Sequence, residues 1–412
     1  MRVGLQCSLN DPNVDATQPL SQRQLAVSIG AIADTLGQTA PLNLCLILDH
    51  SGSMAGRPLD TVRQAAQRLV DRMSLGDRLA IVGFDHKAKV LLPNQVLDNP
   101  ASVKAKINQL AAGGGTAIDA GLKLGIEELI KGKQGTISQA FLLTDGENEH
   151  GDNDRCLKLA QLAANYSMTI NTLGFGDAWN QDILEAIADG GGGTMAFIQQ
   201  PEQAVAEFAR LFTRLQAVGL TNSYLTLTLP PGVRLAELKP VAQVAPDTIE
   251  LAVTQEGNQA IVRLGDLMID VPRVVLANLY LSQMELGPQA IAQVQVQYDD
   301  PATNIEQQWS EKLTVYANYV NNFQPQPDPA VQHHILALAK YRQTQIAESK
   351  IKQGDMTGAA TMLQTAAKTA LQMGDEGAAT VLQTTATRLQ AGERLSEGDR
   401  KKTRMVSKTS LQ

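Results

Sequence analysis

Residues Leu42–Met54 read LNLCLILDHSGSM, and this stretch decides the fold. Leu44, Cys45, Leu46, Ile47 and Leu48 form an apolar run without alternation, the pattern of a strand covered on both faces. Asp49, Ser51 and Ser53 follow where such a strand must turn. A carboxylate and two hydroxyls on one loop make an oxygen-only pocket, which suits a hard divalent cation. The expectation is that Asp49, Ser51 and Ser53 hold a metal at the C-terminal edge of a parallel sheet.

Around this stretch, from Leu42 to about Gln216, strand-like and helix-like segments alternate. Apolar residues at helical spacing predict helices over Pro58–Met73, Ala101–Leu110, Thr116–Ile130, Asp154–Tyr166, Asn180–Ala188 and Pro201–Gln216. Between them, Arg78–Phe84, Gln139–Thr144, Thr169–Gly174 and Thr194–Ile198 read as strands, with Lys87–Leu92 as a hairpin partner of the first. Such alternation implies a doubly wound, mostly parallel sheet with ligands at the carboxyl ends of its strands. Two further loops at that edge carry oxygen donors: Thr116 after Gly113-Gly114-Gly115, and Asp145 in LLTDGE.

With these residues in place, residues 42–216 closely resemble the von Willebrand factor type A domain, an integrin I-like, Rossmann-like α/β fold. That family's metal-ion-dependent adhesion site reads Asp-x-Ser-x-Ser, then a Thr, then an Asp. Asp49, Ser51, Ser53, Thr116 and Asp145 fill all five positions in order. The resemblance implies direct coordination by Ser51, Ser53 and, in the ligand-bound form, Thr116. It assigns Asp49 and Asp145 mainly to water or to hydrogen bonds with the hydroxyls. Mg²⁺ is the expected ion, with Mn²⁺ or Ca²⁺ as alternatives. Neutral hydroxyls leave the ion short of negative charge, so the expected partner is a protein presenting an Asp or Glu. Taken singly, the same residues read otherwise: Asp49, Ser51 or Thr116 as helix caps, Asp145-Gly146 as a turn.

Outside this domain the pattern changes. From Gly219 to about Tyr319, six short stretches alternate with a period of two and are separated by turn signals such as Pro230-Pro231-Gly232 and Glu256-Gly257-Asn258. They predict an antiparallel β-sandwich over 218–320. Residues 1–40 contain strand candidates at Val3–Leu9 and Gln24–Ala33, expected to complete that sandwich, with 41–217 inserted between its two parts. Asn321–Pro329 reads as a proline-rich linker. Residues 330–392 predict a helical hairpin or repeat, because AATMLQT (359–365) and AATVLQT (378–384) each follow a Gly-Asp pair. The stretch 393–412 reads as a basic disordered tail, in which Thr403, Ser407, Thr409 and Ser410 are candidate targets for a kinase or a phospho-binding partner.

Composition narrows the function. The chain has 412 residues, is 19% charged and carries a net charge of −7, with no general basic footprint for nucleic acid. No stretch approaches the roughly 20 apolar residues of a membrane span. The N-terminal stretch lacks the apolar core of a signal peptide, and three widely spaced cysteines read as free thiols, so the expected compartment is the cytoplasm. The acidic run Asp145–Asp154 lacks EF-hand order and is expected to be a solvated loop that tunes partner choice. His333 and His334 are expected on a helix surface. The expected function is therefore a non-enzymatic, metal-dependent interaction module. A subunit of an ATPase- or chelatase-linked complex is the alternative, and a metal-dependent hydrolase is the weaker third reading.

Overall fold

The computed structural model describes residues 1–33, 40–176 and 178–408. In chain order the N-terminal segment forms β1 (Arg2–Leu9), β2 (Asn13–Asp15) and β3 (Leu20–Ile32). The central segment follows with β4 (Leu42–Asp49), α1 (Arg57–Arg72), β5 (Arg78–Phe84), β6 (Ala88–Val96), α2 (Pro100–Asn108), α3 (Ile118–Lys131) and β7 (Ile137–Thr144). It ends with α4 (Asn153–Asn165), β8 (Met168–Phe175), α5 (Gln181–Gly190), β9 (Gly192–Ile198) and α6 (Ala204–Gln216). The chain contacts define two compact units, one comprising Met1, Ala33–Asn222 and Asp299–Gln308, the other the remainder.

The first unit is built on a six-stranded sheet in the order β6-β5-β4-β7-β8-β9. All neighbours are parallel except β5 and β6, so this is the mostly parallel α/β sheet expected from the sequence. The one antiparallel strand, β6, lies at the edge, where Pro93 interrupts no central ladder. β4 lies inside the sheet and every one of its residues is buried. Its alternate side chains meet different layers. Ile47 and Cys45 face α3, where the absence of side chains at Gly121 and Gly125 lets the helix approach closely. Leu46 is in register with Phe141 of β7, whose ring packs edge-on against Phe208 of α6. Helices thus cover both faces of the sheet, and α3 is held close to the strands that carry the loops at their carboxyl ends.

Ten strands follow: β10 (Val218–Thr228), β11 (Val233–Leu235), β12 (Val241–Ala245), β13 (Ile249–Glu250), β14 (Val253–Glu256), β15 (Gln259–Met268), β16 (Arg273–Ser282), β17 (Gly287–Asp300), β18 (Ile305–Trp309) and β19 (Leu313–Val320); they belong to the second unit except for the start of β10 through Asn222, the end of β17 from Asp299 and β18 up to Gln308, which are counted with the first. One sheet runs β1-β3-β16-β12-β13 with β11 beside β16. The other runs β14-β15-β10-β17-β19-β2 with β18 beside β17. The N-terminal β3 pairs along β16 from Leu20↔Ser282 to Ile29↔Arg273, and β2 runs parallel to β19. The expected domain segment 1–40 includes residues 34–39, which lie outside the described residues.

Four helices complete this unit: α7 (Pro329–Lys352), α8 (Met356–Gln372), α9 (Glu376–Gln390) and α10 (Glu397–Lys408). The two Gly-Asp pairs are their corners. Gly354 and Gly374 take positive φ, and Asp355 and Asp375 cap α8 and α9 by accepting from the amides of Gly358 and Ala378 at 2.8 and 2.9 Å. The segment read as a linker is tied to the N-terminal strands: Gln326 N donates to Asp11 and Asp328 N to the carbonyl of Asn10, both at 2.9 Å. Val331 of α7 packs among Ala26, Val244, Val274 and Leu276 of the sandwich.

Two expectations need correction. The basic tail is helical through Lys408 rather than disordered. Its burial is polar and leaves no apolar period in the sequence: Lys401, Thr403 and Ser407 face inward, Thr403 and Thr385 share a hydroxyl hydrogen bond of 3.1 Å, and Arg388 reaches Asp399 at 2.6 Å. Thr403 and Ser407 are therefore enclosed and are not kinase targets in this state, while Thr409 and Ser410 lie outside the described residues. His333 and His334 are half-buried, not on an open surface, and burial followed by its neighbour His333 lowers the pKa of His334.

Two measurements check this packing. Gly125→Val drives a branched side chain into Ile47 and is expected to lower unfolding free energy by about 2 kcal/mol in denaturant titrations. Asp399→Ala removes the partner of Ser396 and Arg388 and should cost about 1 kcal/mol, read as faster amide exchange across 397–408. The Ser396 hydroxyl first, with Arg388 adding to it, holds the Asp399 carboxyl below the usual carboxylate range. Its contribution is thus complete at neutral pH, and the difference between wild type and variant should vanish as pH falls through that lowered value.

Candidate functional site

Loop one leaves β4 at Asp49, loop two runs through Gly113–Thr116 into α3, and loop three leaves β7 at Thr144. Because β4 and β7 are parallel neighbours, Asp49 and Thr144 end side by side. Asp49 is wholly buried. Its Oδ1 accepts from the Ser51 amide at 2.7 Å, and its Oδ2 accepts from the Thr144 hydroxyl. The Ser51 and Ser53 hydroxyls lie 3.1 Å apart, and Ser53 Oγ donates to Asp145 Oδ1 at 2.7 Å. Four of the five residues singled out from the sequence are therefore joined by one hydrogen-bonded path.

Thr116 joins the group by position. It is buried, and its Oγ1 lies 3.3 Å from where a Cβ on Gly146 would stand. Its hydroxyl makes no hydrogen bond to the other four. Nor does it cap α3: that helix receives its cap from loop three, where Asn148 Oδ1 accepts from Ile118 N at 2.7 Å. Backbone bonds lock the loops together. Gly52 N donates to the Gly114 carbonyl at 3.0 Å, Gly113 N to the His50 carbonyl at 2.9 Å, and His150 N to the Thr116 carbonyl at 2.9 Å.

The electrostatics follow from this geometry. Burial raises the pKa of Asp49, against the opposing hydrogen bonds from Thr144 and Ser51. Burial also raises that of Asp145, and the nearby Asp49 adds to the effect. Two buried carboxylates thus lie among the hydroxyls of Ser51, Thr144 and the exposed Ser53, and no Lys or Arg forms an ion pair with either carboxylate among the described residues. His50, beside Asp49, packs its ring at Gly83, and its buried Nδ1 has no hydrogen-bond partner.

Thr144 and Asn148 are site residues that the sequence reading passed over. Thr144 was legible only as the first letter of TDG, and nothing in its spacing announces a bond to a carboxylate on another strand. Asn148 was hidden in an acidic run. The three cysteines are unpaired, and burial pushes the thiols of Cys7 and Cys156 up to about 12.

A helix-covered parallel sheet with this loop set defines a von Willebrand factor type A domain protein, and residues 43–210 match the model of that domain. Residues 329–412 match a model described as the Sll0103-like, C-terminal alpha-helical domain. The chain belongs to the sll0103 family: it is 57% identical over 412 residues to protein sll0103 of Synechocystis sp., covering 100% of this chain and 98% of that one. It is also 28% identical over 196 residues to YfbK of Escherichia coli, and 29% identical over 195 residues to inter-alpha-trypsin inhibitor heavy chain H4 of Bos taurus. These matches take in 46% and 43% of this chain but only 34% and 21% of those longer proteins. Among solved structures, a von Willebrand factor type A protein from Catenulispora acidiphila superposes with a TM-score of 0.83 at 18% identity, over 99% of this chain and 97% of that one. The ArnB paralog VWA2 from Sulfolobus acidocaldarius gives 0.61 at 17% identity, over 99% and 98%. Both likenesses concern the fold. Among the described residues no helix is long and apolar enough to cross a membrane.

The crowding of two buried carboxylates gives a direct expectation. In buffer containing EDTA, Asp145→Asn keeps the acceptor for Ser53 while removing one negative charge. It is expected to raise unfolding free energy by about 1 kcal/mol over wild type, measured by chemical denaturation.

Proposed function

We propose that this chain is a metal-dependent protein-interaction module whose site grips a carboxylate of a partner. The observation that supports this reading is the bonded cluster itself: Asp49, Ser51, Ser53 and Asp145 in one path, with Thr116 beside them and, among the described residues, no cationic side chain paired to the acids. The donor set is all oxygen and fits Mg²⁺, with Mn²⁺ or Ca²⁺ as substitutes. Ser51, Ser53 and Thr116 would face the ion, while Asp49 and Asp145 orient those hydroxyls or hold water. When bound, the ion supplies a Lewis-acidic centre that neutral hydroxyls leave short of negative charge.

The chain's own residues do the positioning. Thr144 and the Ser51 amide fix the Asp49 carboxylate, so loop one keeps one shape. Asp145 orients Ser53. The Gly52–Gly114 and Gly113–His50 backbone bonds hold loop two against loop one, which keeps Thr116 at the cluster. Membership of the von Willebrand factor A class supports a binding role, because in that class this edge of the sheet is where a protein partner docks.

The test is isothermal titration with Mg²⁺ and Mn²⁺. Wild type should bind, and Ser51→Ala/Ser53→Ala should lose at least about tenfold in affinity, since two of the proposed ligands are gone. The ion should also raise the melting temperature of wild type and not of the variant. Equal affinity in the two proteins would sink the metal assignment.

A further inference from the structure

The residues around the metal loops carry a charge pattern that the site itself does not use. Along the carboxyl edge of the sheet, the turn between β5 and β6 stands on one side of loop one and loop three on the other, because the strand order is β6-β5-β4-β7. Loop two lies between them. On one side the His86 ring sits against Gly114, and on the other the His150 ring sits against Gly115.

The two flanks have opposite charge. The β5–β6 turn and the start of β6 expose His86, Lys87 and Lys89. Its acid, Asp85, is half-buried and already partnered within the turn: Oδ1 accepts from Lys87 N at 2.7 Å and lies 3.2 Å from His86 Nδ1. Neither Lys87 nor Lys89 makes an ion pair among the described residues. Loop three and the start of α4 expose Glu147, Glu149, Asp152 and Asp154. The cation nearest them in sequence, Arg155, is committed to Asp119 at 3.0 Å. Arg57, which follows loop one, is paired with Glu202. The rim is therefore basic on one side, acidic on the other, with the carboxylate-seeking site between.

We infer that the partner surface is bipolar: a protein segment with a central Asp or Glu for the site, acidic side chains toward Lys87 and Lys89, and basic side chains toward Glu147 and Glu149. This deepens the reading under Proposed function and rests on it. The central carboxylate alone would be common to many surfaces. A uniformly acidic segment would meet repulsion at loop three, and a uniformly basic one at the β5–β6 turn. Charges of this kind, in water and within a Debye length, discriminate between partners more than they add raw affinity.

The experiment uses the full chain and four synthetic peptides that share a central Asp between glycines. One carries three Glu on one side and three Lys on the other, the second has these blocks in reverse order, the third has Glu on both sides and the fourth has Ser on both sides. Binding is read by fluorescence anisotropy in MgCl₂ and in EDTA. At least one bipolar peptide is expected to bind about fivefold more tightly than the Glu and Ser peptides in MgCl₂. Lys87→Glu/Lys89→Glu should erase that preference. Adding Glu147→Lys/Glu149→Lys to the same chain should restore it with the favoured block order exchanged, which also shows that the variants are folded. Equal affinities for all four peptides, with binding still lost in EDTA, overturn the bipolar rim and leave the metal reading intact. A tightest fit for the all-Glu peptide overturns it likewise. Binding that keeps the charge order but ignores EDTA and an Asn in place of the central Asp overturns the metal reading, and with it a rim centred on a metal-held carboxylate.

Discussion

A carboxylate with no exposure to solvent is the constraint on which the site depends. Asp49 terminates a strand buried on both faces, so its charge has nowhere to go but into hydrogen bonds from its neighbours. The Thr144 hydroxyl and the Ser51 amide supply them. Both are available only because β4 pairs in parallel with β7, which brings the ends of the two strands level. The bond from Thr144 ties loop three to loop one, and Ser53 to Asp145 repeats the tie one residue further out. Loop two is then held by backbone alone. Glycines serve there because imidazole rings stand where Cβ atoms on Gly114 and Gly115 would project.

Much of this was legible in the chain. The unbroken apolar run before Asp49 announces a doubly covered strand, and the alternation after it announces the parallel sheet. Asp49, Ser51 and Ser53 are adjacent enough to be read as one loop. Thr116 and Asp145 are distant in sequence but stand at the ends of equally plain signals, a glycine run and an apolar strand. What escaped was long-range and polar. Thr144 and Asn148 act on Asp49 and on α3 across loops, and neither position has a period or motif that points across space. The last helix escaped for the same reason. α10 packs through Lys401, Thr403 and Ser407, whose sequence reads as a solvated tail until the groups that accept them are known.

The second unit poses a different problem, one of chain order. β3 pairs along most of its length with β16, so the sandwich needs strands from both ends of a long insertion. Non-local pairings of this kind are slow to form, because loop-closure entropy is lost before the ladder rewards it. The helices tie into this sheet: Arg342 of α7 binds Glu250 at 2.8 Å, and the Thr248 amide donates to the Lys408 carbonyl at the end of α10 at 2.7 Å. Within the bundle the buried Lys340 joins three elements, reaching Asp375 at 2.9 Å and the Val406 carbonyl at 3.0 Å. A buried ammonium is tolerable only when its protons are so placed.

The division between hub and rim has a consequence for how partners are chosen. The Asp49 hub is over-determined: its carboxylate is enclosed, and its neighbours are fixed by one another. A change there disturbs three loops at once. The rim residues, Lys87 and Lys89 on one side and Glu147 and Glu149 on the other, are exposed side chains, Lys89 on the edge strand β6 and the others on turns and loops, that the scaffold does not need for packing. On the proposed reading the hub supplies a grip that any carboxylate could satisfy, and the rim decides which carboxylate is admitted. Affinity and specificity then reside in different residues, so partner choice can change by surface substitution while the buried network that makes the grip stays as it is.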